Sequence, residues 1–169
     1  MGTWTSLTAE DAHSFASYNA KPVGRARGAV VVVQEVLGVN DHIRSVADGF
    51  AAEGYHAVAP ALFDRLRPDY ESGYSQEAVR AGIELMREIE WNCAIRDVNA
   101  TVNAVQRYGK VGIVGFCWGG SVAWLAGSLF IALFCRGCQD NEREDGRFAA
   151  GRQFAFAQAG DRCVEDCRA

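Results

Sequence analysis

The sequence has 169 residues, of which 49% are apolar, and it carries a formal net charge of −4. A chain of this length and composition can bury one substantial core, so we expect a single domain. No run of like charge stands out, which argues against a nucleic-acid or membrane-surface partner. The N-terminus has no basic start before an apolar stretch, and no window approaches about 18 uncharged apolar residues. We therefore expect a cytoplasmic protein without a signal peptide or a membrane span.

Short apolar runs along the chain predict buried strands. The segments GAVVVVQE, YHAVAP and KVGIVG are unbroken apolar stretches bounded by turn residues. Such runs are typical of parallel strands that are covered by helices on both faces. The first 22 residues are less regular, and we expect one or two edge strands there.

Amphipathic segments with recognisable caps separate these strands. Asn40 or Asp41 can cap a helix that ends near Gly54, and Ser75 can cap a second helix with Glu77 in its first turn. The segments AIRDVNATVNAV and WGGSVAWLAG predict two further helices, whereas LFDRLRPDYESGY has no period and predicts a loop. Strands that alternate with helices of this length indicate βαβ units and a parallel α/β sheet.

The stretch VGIVGFCWGG has the layout of a nucleophile elbow, with Cys117 in the position usually held by serine. Only small residues are expected at 115 and 119, because larger side chains would collide with neighbouring backbone in so tight a turn. A thiol at a helix N-terminus is favoured as thiolate, and the Trp118 N–H would point at a developing oxyanion. The alternative is that Cys117 is a small buried packing residue whose neighbouring glycines only allow close helix–strand contact.

Several stretches in order resemble the dienelactone hydrolases, also called carboxymethylenebutenolidases. They are QEVLGVNDHIRSVADGFAAEGYHAVAP, ALFDR and KVGIVGFCWGG, which together span roughly residues 5 to 130. The resemblance implies an α/β-hydrolase-like three-layer sheet with helices on both faces, incomplete at the C-terminus. It also implies an enzyme that needs no cofactor and no metal and acts on small anionic lactones or esters.

The resemblance assigns roles to individual residues. Cys117 matches the nucleophile, and Glu35 matches an acid that contacts the resting thiol and helps to activate it. The backbone N–H groups of Val36 and Trp118 match the two oxyanion donors. Arg65 matches a basic residue that binds the substrate carboxylate, for which a forked guanidinium is well suited.

Each assignment has an alternative. Glu35 could be a solvated loop residue, and Arg65 could be a surface charge. Tyr74 and Trp118 could form a wall of the substrate pocket or could serve packing alone. Cys93 is expected to be inert.

The base of the predicted triad is missing from the pattern. In this fold the acid and the histidine follow the nucleophile, but the three histidines, His13, His42 and His56, all precede Cys117. His42 is the only geometric candidate, and His13 and His56 are expected to be structural. We therefore expect residues 1–130 to be the N-terminal portion of the hydrolase domain.

Residues 131–169 are expected to be a divergent and poorly ordered tail. The sequence from about residue 128 onward has four cysteines, six arginines and no lysine, and it lacks a strand–turn–helix rhythm. This change favours a truncated or frame-shifted product, which could be non-catalytic. A four-thiolate zinc site is a weaker alternative for the tail, as is a redox role for its first two cysteines; the cysteines are Cys135, Cys138, Cys163 and Cys167.

Overall fold

The computed structural model describes residues 2–128. Its five strands are β1 (Thr3–Thr8), β2 (Ser14–Ala20), β3 (Ala29–Val33), β4 (His56–Pro60) and β5 (Val111–Gly115). Its helices are α1 (Asp41–Ala52), α2 (Gln76–Glu88), α3 (Trp91–Val105) and α4, which covers residues 118–128 within the described part. Short 3₁₀ turns occupy Leu62–Arg65 and Gln106–Tyr108.

The strands form one sheet in the order β1-β2-β4-β3-β5. The strands β4, β3 and β5 run parallel, and β2 joins β4 antiparallel with β1 beyond it at the edge. The predicted parallel sheet is thus confirmed for β4, β3 and β5, and the irregular N-terminal segment supplies an antiparallel pair. In this topology the carboxyl ends of β3, β4 and β5 meet at one edge, where open α/β sheets place their ligand sites.

The sheet is covered on both faces, as the unbroken apolar runs predicted. Alternating valines of β3 point to opposite sides: Val31 and Val33 pack with α3 and α4, whereas Val32 packs with α1. All three are fully buried. The result is a three-layer domain in which β3 has no polar face.

The caps that position the helices are those predicted from the sequence. The Asn40 side chain accepts a hydrogen bond from the Ile43 N–H at the start of α1, and Ser75 accepts one from the Ala78 N–H at the start of α2. In the part of the chain described here, no helix is long and apolar enough to cross a bilayer. The expected tail and its cysteine pairs lie outside the described residues.

Candidate functional site

Cys117 lies in the sharp turn between β5 and α4. Its φ angle is 53°, in the left-handed region that non-glycine residues rarely adopt, and its side chain is exposed. The Gly119 N–H bonds to the Phe116 carbonyl and the Gly120 N–H bonds to the Cys117 carbonyl, so the helix begins directly after the turn. The alternative that Cys117 is a buried packing residue is therefore wrong.

The glycines on either side of the turn are required by close backbone contacts. A Cβ on Gly115 would lie 1.9 Å from the Gly119 carbonyl oxygen, and one on Gly119 would lie 2.2 Å from that of Gln34. Both distances are far below van der Waals contact. The prediction that larger residues would collide at 115 and 119 is confirmed.

Glu35 follows β3 at the same edge of the sheet. In the β3–β5 ladder Val33 lies opposite Gly115, so Glu35 and Cys117 each lie two residues beyond a paired position. Glu35 is partly buried, and its Oε2 accepts a 2.7 Å hydrogen bond from the Tyr74 hydroxyl. Glu35 is therefore a half-buried residue whose carboxylate is bound by Tyr74, and its role toward the thiol stays a prediction.

An aromatic cluster lies beside the elbow, and its Tyr74 contacts the Glu35 carboxylate. The His42 ring in the first turn of α1 meets Tyr74 edge-on at 6.4 Å and Phe116 edge-on at 5.9 Å, measured between ring centroids. Phe116 precedes Cys117, so His42 lies beside the elbow. Partial desolvation of the hydroxyl and the neighbouring Glu35 raise the pKa of Tyr74, which keeps its hydroxyl protonated as a donor.

The other two histidines lie elsewhere. His56 begins β4, at the opposite end of that strand from the candidate site, and its ring packs on Tyr108 at 4.3 Å. His13 precedes β2 and stacks on Phe15. Of the three histidines, the structure therefore places His42 beside the residue that precedes Cys117.

Trp118 is a packing residue as well as the first residue of α4. Its ring is buried and stacks on Phe63 at 5.5 Å with an interplanar angle of 10°. Because the first residues of a helix have no intrahelical acceptor, the Trp118 N–H is directed out of the N-terminal end of α4. Val36 is buried too, with α2 so close that a Cβ on Gly82 would lie 1.8 Å from its carbonyl oxygen.

Arg65 is bound by carboxylates of the protein itself. Its guanidinium contacts Asp97 through Nε and Nη2 and Asp11 through Nη1 and Nη2, and only 12% of its side chain is exposed. Burial disfavours the charge on Arg65, but the two carboxylates outweigh burial and raise its pKa. The hydrogen bond from Arg65 lowers the pKa of Asp11 to about 2. The alternative that Arg65 is a free surface charge is therefore wrong.

Gln34 belongs to this site, although no motif in the sequence indicated a role for it. It is fully buried, its Oε1 accepts from the Leu62 N–H at 3.0 Å, and its Nε2 donates to the Glu35 carbonyl at 3.3 Å. The only sequence feature that could have indicated a role for Gln34 is its position as an amide side chain directly after an apolar strand. Within residues 2–128, no group of His, Cys, Asp and Glu side chains is arranged to hold a metal ion.

The comparisons with known proteins all point to the same family. The model of the dienelactone hydrolase family matches residues 15–134. A protein of Synechocystis sp. whose name assigns it to the carboxymethylenebutenolidases is 39% identical over 120 residues, which are 68% of this chain and 49% of that protein. The carboxymethylenebutenolidase of Pseudomonas putida is 29% identical over 125 residues, which are 71% of this chain and 53% of that enzyme.

A solved structure agrees with these matches. The crystal structure of a Klebsiella pneumoniae protein, named as one of the dienelactone hydrolases, superposes with a TM-score of 0.62 at 31% identity. The superposition covers 75% of this chain and 53% of that protein. The chain thus spans about half the length of the relatives that it matches.

Proposed function

Because the chain belongs to the dienelactone hydrolase family, we propose that Cys117 is the nucleophile of a hydrolase acting on small anionic lactones or esters. The observation that carries the proposal is the position of Cys117, exposed at positive φ in a glycine-flanked turn that leads into a helix. A strained strand-to-helix turn of this kind lifts its side chain clear of the sheet toward substrate.

Glu35 supports the first step. In that step the S–H bond breaks, the proton passes to the Glu35 carboxylate, and the sulfur lone pair forms a bond to the ester carbonyl carbon. The carbonyl π electrons move to oxygen, where the Val36 and Trp118 N–H groups would stabilise the oxyanion. When the tetrahedral intermediate collapses, the bond from carbon to the ester oxygen breaks, that oxygen takes the proton back from Glu35 and becomes the alcohol, and a thioester remains on Cys117.

We assign substrate binding to Tyr74 and Arg65. Tyr74 is exposed at the site, whereas Arg65 is already bound by carboxylates of the protein. The Tyr74 ring is 62% exposed beside Glu35, so it is accessible to a ligand at this edge. Recognition of a substrate carboxylate by Arg65 stays a prediction. It requires the Arg65 guanidinium to break some of its hydrogen bonds to Asp97 and Asp11.

The second half of the reaction is expected to be slow in the 169-residue chain. Hydrolysis of the thioester needs a base that activates water, and the residues that match the family contain no histidine after Cys117. General base catalysis is typically worth roughly 10²- to 10⁴-fold. We therefore propose that residues 1–169 by themselves acylate readily and deacylate slowly.

A burst experiment tests this proposal. Mixing the protein with p-nitrophenyl acetate should release about one equivalent of nitrophenolate per chain, followed by slow turnover, and mass spectrometry should place the acetyl group on Cys117. The Cys117→Ala variant should lose the burst, whereas the matched Cys93→Ala variant should keep it. A burst that survives Cys117→Ala, or no acylation of the folded protein, would mean that the chain is non-catalytic or uses another group.

A further inference from the structure

Three backbone segments meet beside the two N–H groups assigned to the oxyanion. They are the exit from β3 at residues 33–36, the 3₁₀ turn Leu62–Arg65 and the elbow at residues 115–119. We call this meeting point the junction. Each pair of segments is joined by a different buried contact, so the position of each segment depends on the other two.

Gln34 joins the β3 exit to the 3₁₀ turn. Its Oε1 accepts from the backbone N–H of Leu62, the first residue of the turn, at 3.0 Å. The same side chain has no exposed surface, so water cannot replace this bond without the core opening. Gln34 therefore fixes how the turn sits against β3.

Phe63 joins the turn to the elbow. Its ring is 1% exposed and lies parallel to that of Trp118 at 5.5 Å. Trp91 at the start of α3 lies 6.3 Å from Trp118 as well, so the indole is held between two aromatic partners. Any shift of the turn is thereby transmitted to the first residue of α4.

Gly119 joins the elbow to the β3 exit. A Cβ at this position would lie 2.2 Å from the Gln34 carbonyl oxygen and 2.6 Å from that of Val33. The two backbones are thus in contact, and packing this tight leaves no room for independent movement.

The second hydrogen bond of Gln34 bears on the oxyanion site itself. Its Nε2 donates to the Glu35 carbonyl oxygen at 3.3 Å. That carbonyl and the Val36 N–H belong to one planar peptide unit, in which the C=O and N–H bonds point in opposite directions. A donor bound to the oxygen consequently fixes the direction of the N–H and also polarises it as a donor.

We propose that Gln34 is a positioning residue that orients the Val36 N–H and, through Phe63 and Trp118, sets its spacing from the second donor. The inference rests on the proposed function, because it assumes that both N–H groups bind an oxyanion. Such donors act only when they lie within hydrogen-bond distance of the oxygen that carries the developing charge.

A tetrahedral adduct provides the test without enzymatic turnover. A phenyl trifluoromethyl ketone should add to the protein so that the Cys117 sulfur bonds to the carbonyl carbon, the thiol proton passes to buffer, and the carbonyl oxygen becomes the oxyanion. Its affinity, read by ¹⁹F NMR, reports the oxyanion donors. Alkylation of Cys117 by iodoacetamide displaces iodide and forms no oxyanion, so its rate reports the thiol alone.

Gln34→Met should weaken the adduct about tenfold or more, a part of the roughly 10²- to 10³-fold lost when an oxyanion donor is deleted. The alkylation rate should change by less than about twofold, since the thiol is untouched. Phe63→Leu keeps both Gln34 hydrogen bonds and tests the same junction if Gln34→Met does not fold. Thr101→Val, which removes a buried hydrogen bond to the Asp97 carbonyl oxygen within α3, is the control and should leave the adduct unchanged.

The outcomes separate the two proposals. If the wild-type protein forms the adduct at Cys117 and the Gln34 and Phe63 variants bind the ketone equally well, the inference alone is overturned. It is also overturned if adduct affinity and alkylation rate fall by the same factor. If the wild-type protein forms no adduct that Cys117→Ala abolishes, the proposed function fails and the inference fails with it.

Discussion

Arg65 and Asp97 form a two-point ion pair, with Nε 2.8 Å from Oδ2 and Nη2 2.7 Å from Oδ1. Asp97 is fully buried in α3, and burial raises its pKa while Arg65 opposes that rise. The pair fastens the turn after β4 to α3. Arg65 also reaches Asp11 in the β1–β2 connection, so one guanidinium links three parts of the domain.

Replacing Arg65 with methionine should destabilise the domain strongly. The substitution leaves the Asp97 carboxylate buried without a cation, and breaking a buried pair in this way typically costs about 3–5 kcal/mol. Urea unfolding followed by circular dichroism measures the loss. Arg96→Met is the matched control, because Arg96 is 40% exposed and pairs with the exposed Glu10 and, at 3.6 Å, with the partly exposed Asp11, so its removal should cost at most about 1 kcal/mol.

The same variant separates the two roles considered for Arg65. If Arg65→Met is as stable as the wild-type protein but loses only its preference for carboxylate-bearing esters, the guanidinium serves substrate rather than structure. A large loss of stability at unchanged preference for such esters would assign it to structure.

Gly119→Ala should disrupt the elbow, whereas Gly120→Ala should not. The added methyl at 119 meets the Gln34 carbonyl at 2.2 Å, and overpacking of this kind costs about 1–3 kcal/mol. At 120 the nearest atom is 3.5 Å away, an ordinary contact, so alanine in the helix should be neutral or stabilise by up to about 1 kcal/mol. Urea midpoints of the two variants provide the comparison, and equal midpoints would contradict the close approach of α4 to β3.

Stability should fall as the pH drops below about 6.5 because of His56. Burial, with Lys21 and Arg107 adding positive charge, lowers the pKa of this histidine from its ordinary value of 6.5. The unfolded chain then binds a proton at a higher pH than the folded chain does. The His56 contribution is complete above pH 6.5 and is lost as the pH falls toward the folded-state pKa, by at most about 1.4 kcal/mol per pH unit.

Urea unfolding at about pH 7.5 and about pH 5.5, on either side of the ordinary histidine pKa, measures this dependence. His56→Gln should flatten it, while His42→Gln, which changes an exposed ring, should leave most of it in place. A slope that survives His56→Gln unchanged would place the responsible group elsewhere.

The fold was predictable because its signals are local. The caps Asn40 and Ser75 bond to residues three positions ahead, and the valine run of β3 and the glycine-flanked turn at Cys117 are short contiguous patterns, so each can be recognised within a few residues. The antiparallel pairing of β1 with β2 was less clear, since alternation in a half-exposed edge pair is a weaker signal.

The contacts of the site were not predictable in the same way. Arg65 and Asp97 are hydrogen-bonded although they lie 32 residues apart in the sequence, and Gln34 and Leu62 lie 28 residues apart. No pattern in the sequence indicates either partner. The family resemblance consequently predicts substrate binding by Arg65 without indicating its partners in the protein, and no motif indicates a role for Gln34. The hydrogen bond between Tyr74 and Glu35 likewise joins residues 39 apart in the sequence, so no local pattern predicts it.

The order of the strands also determines when the junction can form during synthesis. The strand β5, which ends at the elbow, pairs with β3 rather than with its nearest predecessor along the chain, β4. A nascent chain that has emerged only through α3 therefore holds β3 with one side unpaired and lacks Trp118 and Gly119. Of the strands within residues 2–128, β5 is synthesised last and pairs with the open edge of β3, and non-local parallel pairing of this type is intrinsically slow. Cys117, the Trp118 N–H and Glu35 consequently come together only after β5 has paired with β3.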